Sequence, residues 1–90
     1  MLEITPTGQF KKDFKTCQKR DYDMDLLQQI IDILAIPASL PEKNKDHPLK
    51  GNYIKKRECH IMPDWLLIYR VENNRLILYR TGTHSDLFNE

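Results

Sequence analysis

Three histidines stand where the chain's apolar patterning breaks off, and each has charged or aromatic company. His47 lies in "KDHPLKGN" beside Lys50. His60 lies in "RECHIMPDW", with Arg57 before it and Asp64 and Trp65 after it. His84 lies in "RTGTHSDLF", with Arg80 before it and Phe88 after it. Histidine titrates near neutrality, so a pair supplies one base and one acid at the same pH. Arginine and lysine hold phosphate oxygens, and tryptophan and phenylalanine offer faces on which bases stack. Together these types suit RNA cleavage. A base takes the proton of a ribose 2′-hydroxyl, the oxygen attacks the adjacent phosphate, and an acid protonates the leaving 5′-oxygen. Two protonatable side chains on either side of the phosphate do this with no metal and no cofactor.

The elements that must position these groups are legible. "LEIT" is a short strand closed by Pro6. From Gln9 to Arg20, Phe10, Phe14 and Cys17 recur at helical spacing among lysines. Asp23 caps a second helix with a buried face of Met24, Leu27, Ile30, Ile31 and Leu34, and Pro37 ends it. Pro37 to Asn52 has no period, and a loop of that length in a small domain tends to carry function. "YIKKRECHIM", "WLLIYRV" and "RLILYRT" follow as strands, with turns at Pro63-Asp64 and Asn73-Asn74. The fold class is α+β, in the order β-α-α-β-β-β. It predicts an antiparallel meander, the first strand at a sheet edge, and two N-terminal helices packed on one face.

Two-residue turns set a register. With Asn73-Asn74 as the loop, Tyr69 faces Leu78 and Leu67 faces Arg80. With Pro63-Asp64 as the loop, Met62 faces Trp65 and His60 faces Leu67. His60, Met62, Trp65, Leu67 and Arg80 then share one face, with His60 and Arg80 roughly 9–10 Å apart across two strand spacings. Asp64 and His84 meet at one end of the sheet.

Ninety residues make one domain, 1–90, with 40% apolar and 30% charged residues, as in an ordinary globular protein. No run is long enough to span a bilayer, and the N-terminus lacks the pattern of a secretion signal, which points to the cytoplasm. Cys17 and Cys59 form no metal-type spacing and read as buried free thiols; a disulfide between them turns on geometry that spacing does not give. A net charge of +1 argues against a general nucleic-acid coat protein. The basic residues are nevertheless clustered, at Lys11, Lys12, Lys15, Lys19 and Arg20, and again at Lys50, Lys55, Lys56 and Arg57.

Each candidate has a plainer reading. His84 starts a C-terminal turn, His47 is an exposed loop residue, and His60 is a satisfied sheet histidine. Trp65 is core, Asp64 forms a turn, and the lysines are a solvated face. Three histidines and an aspartate also suit a zinc site, although their spacing fits no standard metal motif.

The stretches "KDHPLKGNYIKKRECHIMPDWLLIYR" and "RTGTHSDLF" resemble the YafQ subgroup of the RelE/ParE toxin superfamily, the toxin halves of bacterial type II toxin–antitoxin pairs. "GQFKKDFK" and the helix pair are in keeping with it. The combination of DHPL, G, R-x-x-H-x-x-P-D-W, Y and R-x-G-x-H-x-x-L-F carries the resemblance. It departs from the family at Glu58, where some relatives have a shorter acid, and in its near-neutral charge. The resemblance implies a RelE-like fold and an mRNA interferase, that is, a ribosome-dependent endoribonuclease that inhibits translation. It implies as partners the ribosome, mRNA and a small antitoxin encoded next to the gene, the toxin being a monomer when free and a hetero-oligomer with its antitoxin. The same fold also carries ParE-like toxins, so a non-enzymatic poison of a protein target such as gyrase is the alternative, and a plain interaction module is a third class.

On this resemblance His84 is the general acid and His47 the general base, with Asp64 able to replace it. His60 orients the scissile phosphate or stabilises its charge. Lys50, Arg57 and Arg80 hold backbone phosphates, Trp65 supports the substrate site, and Phe88 stacks on a displaced base.

Overall fold

The computed structural model describes residues 1–89. Strand β1 (Glu3–Pro6) leads into helix α1 (Gly8–Lys19), which Thr7 caps by accepting from the Phe10 amide. Helix α2 (Met24–Ala35) starts at Asp23, whose side chain accepts from the Asp25 amide, and buries Leu27, Ile30, Ile31, Leu34 and Ala35. Strands β2 (His47–Pro48), β3 (Arg57–Met62), β4 (Trp65–Glu72) and β5 (Arg75–Gly82) follow, then a short helix α3 (His84–Phe88). The five strands form one sheet in the order β1-β5-β4-β3-β2. β1 pairs with β5 in parallel at the edge, and the other pairings are antiparallel. The α+β class, the edge position of β1 and the three-stranded meander are as the sequence predicts. Asn73 and Asn74 both take positive φ, 51° and 62°, as a tight hairpin requires.

Three features go beyond that reading. The loop after Pro37 holds two short 3₁₀ turns, Glu42–Asn44 and Gly51–Tyr53, and the two-residue strand β2. The C-terminal stretch, where the plainer reading has a turn at His84, is a short helix. Its Leu87 is buried and joins Leu66 and Ile68 in a second apolar cluster, on the sheet face opposite the one α1 and α2 cover. Burying one such side chain stabilises by about 1.5–3 kcal/mol.

The register is the third. Both turns pair as expected, Met62 with Trp65 and Tyr69 with Leu78. A bulge then intervenes in each hairpin, at Ile61 and at Tyr79. His60 therefore lies opposite Leu66, and Arg80 opposite Ile68, where simple alternation puts both opposite Leu67. Because both strands slip by one residue, His60 and Arg80 still share a face. It is the face of Leu66, Ile68 and α3. Trp65 and Leu67 lie on the other, under the helices.

Candidate functional site

The three histidines form a row. The His47 and His60 rings are 6.3 Å apart between centroids, and those of His60 and His84 are 5.7 Å apart. They come from β2, β3 and the first turn of α3. The row exists because the bulge at Ile61 turns His60 toward α3 and β2 brings His47 alongside β3, opposite Glu58.

Each ring has a distinct partner. His84 Nδ1 lies 2.6 Å from Asp64 Oδ1, and the His84 amide donates to the same oxygen at 2.9 Å. A carboxylate only accepts, so Nδ1 carries the proton and Nε2 is left for other work. These two donations, the backbone one first, hold the Asp64 carboxyl below its ordinary range. His47 Nδ1 lies 2.6 Å from the Lys45 carbonyl oxygen, which assigns the same tautomer. His60 Nε2 lies 3.2 Å from Glu58 Oε1, whose side chain is 7% exposed.

Arg80 lies on the same sheet face as His60 by register but is not a free cation. Its Nε and Nη2 donate to the two oxygens of Asp13 at 2.8 and 3.1 Å, and the Thr81 amide donates to Asp13 as well. Nη1 takes no part in that pair. Arg57 donates through Nε to Asp46, which also accepts from the buried Tyr69 hydroxyl at 2.7 Å. Asp46 thereby fastens the loop to the sheet immediately before His47. Lys50 and Phe88 share the wall of a cavity of about 290 Å³ with Tyr53, whose ring meets Phe88 edge to face at 5.7 Å. Trp65 is the exception among the sequence candidates. It is 3% exposed, packs on Tyr22 at 4.8 Å and donates from Nε1 to Thr81 Oγ1. It also lines a cavity of about 400 Å³ with Tyr22, Leu26 and Met62, but its burial and its bond to Thr81 correct it from a substrate-site residue to a core support. Cys17 and Cys59 are free and buried, and burial pushes both thiols up, away from reactivity.

Several residues that shape the site were given no role from the sequence. Asp13 falls on the apolar stripe of α1 with Phe10 and Cys17, and an acid on such a stripe signals a buried partner. Glu58 is two residues from His60 on one strand and so shares its face. Asn44 lies in aperiodic chain and gives no signal, Asp46 enters only as the first residue of the DHPL motif, and Tyr53 starts a predicted strand where the structure has a 3₁₀ turn. Glu58, His60 and His84 each offer a ligand atom, and these lie within 4.8 Å of one another.

The family model described as "Bacterial toxin of type II toxin-antitoxin system, YafQ" matches residues 2–89. The chain belongs to this family. It is 43% identical over 89 residues to the mRNA interferase toxin YafQ of Escherichia coli K12, covering 96% of this chain and 95% of that protein. The crystal structure of a metal-bound toxin from Helicobacter pylori superposes with a TM-score of 0.92 at 44% identity, covering 98% of this chain and 100% of that one. YafQ in the E. coli DinJ–YafQ complex superposes with a TM-score of 0.89 at 42% identity, covering 98% and 99%. In the YafQ family, then, this member sets its three histidines over a sheet face closed by a five-residue helix.

Proposed function

We propose that this YafQ-family toxin is an endoribonuclease that cuts messenger RNA on the ribosome by acid–base chemistry. The single observation that carries the reading is the histidine row, with His47 and His84 each anchored through Nδ1 and each presenting Nε2. His47 Nε2 takes the proton of the 2′-hydroxyl. The 2′-oxygen attacks phosphorus, the bond from phosphorus to the 5′-oxygen breaks, and His84 gives that oxygen its proton. The products are a 2′,3′-cyclic phosphate upstream and a 5′-hydroxyl downstream. Asp64 serves His84, fixing its ring and stabilising its cationic form, and the donations that hold its carboxyl low make His47 the better choice of base. His60 and the Nη1 of Arg80 face the charge that develops on the phosphate. Lys50 and Arg57 hold neighbouring phosphates and Phe88 takes a base.

A divalent metal fits the donor set of Glu58, His60 and His84, as the metal-bound relative suggests. Held there, it would compete with the proton for His84, the general acid.

The chain's charge and the layout of the site support ribosome dependence. A net charge of +1 gives little attraction for a polyanion, and the candidate groups come from separate elements over an open face. A flexible RNA must be held for in-line attack, and such positioning is worth on the order of 7–11 kcal/mol in good intramolecular cases. The decoding ribosome supplies it, in the cytoplasm. Among the described residues no helix is long and apolar enough to cross a membrane. The test uses one purified protein and one transcript, with and without programmed ribosomes. Fast cutting is expected only on the ribosome, with cyclic-phosphate ends and with transition-metal chelators present. Equal rates in the two arms would remove the ribosome, and a 5′-phosphate product would remove the mechanism.

A further inference from the structure

The Glu42–Asn44 turn borders a groove of about 420 Å³, a volume in the range of small-ligand sites. Leu26, Met62 and Pro63 give it apolar walls, Lys43 and Lys45 line it with cations, and His60 also lines it. It shares no residue with the cavity of Lys50, Tyr53 and Phe88. Among the described residues neither lysine is ion-paired. The turn is nevertheless fixed. Asn44 is 5% exposed and donates from Nδ2 to the His60 carbonyl at 2.7 Å. Lys45 takes a left-handed φ of 47°, and its carbonyl accepts from His47 Nδ1. One turn therefore ties together both lysines and two of the three histidines.

We propose that this groove is a nucleotide subsite for the RNA residue on the 5′ side of the cut. Its base lies against Leu26, Met62 and Pro63, and its own 5′-phosphate lies at Lys43 and Lys45. The inference rests on the nuclease reading above. Transesterification orders the groups along the strand. The base stands at the 2′-hydroxyl of the 5′ nucleotide, and the acid stands at the 5′-oxygen of the next. His47 hangs from the Lys45 carbonyl. His84 shares α3 with Phe88 four residues later, on the same side of the helix. The 3′ nucleotide thus lies toward Phe88, and the 5′ nucleotide lies toward the Lys43–Lys45 turn. An apolar wall with cations at its rim matches a base and its phosphate.

Single-turnover cleavage of ribosome-bound message tests this, with the nucleotide on either side of the cut intact or abasic. For the wild type, removing the 5′ base is expected to slow cutting by about tenfold, the worth of one well-packed base. Met62→Ala is expected to slow cutting of intact message by a few fold and to lose most of the 5′ abasic penalty while keeping the 3′ penalty. Lys43→Ala combined with Lys45→Ala is expected to raise the half-saturating concentration by about threefold to tenfold at an unchanged saturated rate. Met62 and both lysines are exposed, so the variants fold. An undiminished 5′ penalty in Met62→Ala would overturn the subsite alone. A wild type that cuts no translated message would overturn the nuclease reading and the subsite with it.

Discussion

At the level of single residues, the anchoring atoms decide what each candidate does. The Lys45 carbonyl and the Asp64 carboxylate only accept, so on His47 and His84 alike Nδ1 holds the proton and Nε2 is left for proton transfer. Trp65 has its one polar hydrogen committed to Thr81 Oγ1, which in turn donates to the Leu66 carbonyl at 2.7 Å. The two residues therefore predict opposite phenotypes. His84→Ala is expected to lose about 10²–10⁴ in cleavage rate with stability changed by under about 1 kcal/mol. Trp65→Phe is expected to leave the rate per folded molecule unchanged and to cost about 1–3 kcal/mol, since it removes a buried hydrogen bond to Thr81 Oγ1 and opens a void. Single-turnover cleavage and urea denaturation of both variants check this. A rate loss in well-folded Trp65→Phe would return Trp65 to the substrate surface.

At the level of elements, α3 has five residues, too few to hold itself together. It depends on its tethers. Thr83 and Asp86 form a capping box, Leu87 is buried, and the α1 end supplies Arg20, which pairs with Asp86 in two-point fashion at 2.6 and 3.1 Å. Gly82 takes a φ of 157°, and a Cβ there would stand 2.8 Å from Asp86 Oδ2, so the chain before α3 must be glycine to let that carboxylate in. Arg20 holds the Asp86 carboxyl well below the usual carboxylate range. A folded-state value below the unfolded one means the pair stabilises fully above the ordinary aspartate pKa of ~3.9 and loses its contribution as pH falls through the depressed value. The side chains are 38% and 30% exposed, so solvent screening limits the pair to about 1 kcal/mol. The stability gap between wild type and Asp86→Asn is expected to be constant from pH 7 to 5 and to narrow below pH ~4. Denaturation midpoints at pH 7, 5 and 3 measure it, and a gap that does not change with pH would mean that folding does not favour the ionised form of Asp86. Because His84 opens the same helix, Arg20→Ala is also expected to lower the cleavage rate by about threefold to tenfold, as small misplacements do.

For the whole molecule, balance of charge sets how it meets partners. The exposed lysines of α1 (Lys11, Lys12, Lys15 and Lys19) and those from Lys43 to Lys55 are offset by acids elsewhere, to a net of +1. Long-range steering toward RNA is weak, and local patches must do the docking. The E. coli relative is held in a complex with DinJ. A small antitoxin encoded beside this gene is correspondingly expected to bind this chain and to relieve its toxicity. Co-expression and size-exclusion chromatography check this. An adjacent product that neither binds nor protects would count against the pairing.

Helix periods, turn residues and the caps Thr7 and Asp23 are local properties, so the sequence by itself determined α1, α2, the meander and its turns. The family motifs drew His47, His60, Asp64 and His84 into one set. What it did not determine were features made by contacts between distant segments. The bulges at Ile61 and Tyr79 leave no trace in hydrophobic alternation, yet they move His60 and Arg80 from the face of Trp65 and Leu67 to that of Leu66 and Ile68. The pairing of Asp13 with Arg80 spans 67 residues and that of Arg20 with Asp86 spans 66, beyond the reach of any spacing rule. The choice of nitrogen on His47 and His84 came only with the acceptors that the folded chain sets beside them, because a tautomer is fixed by its hydrogen-bond partner and not by its neighbours in sequence.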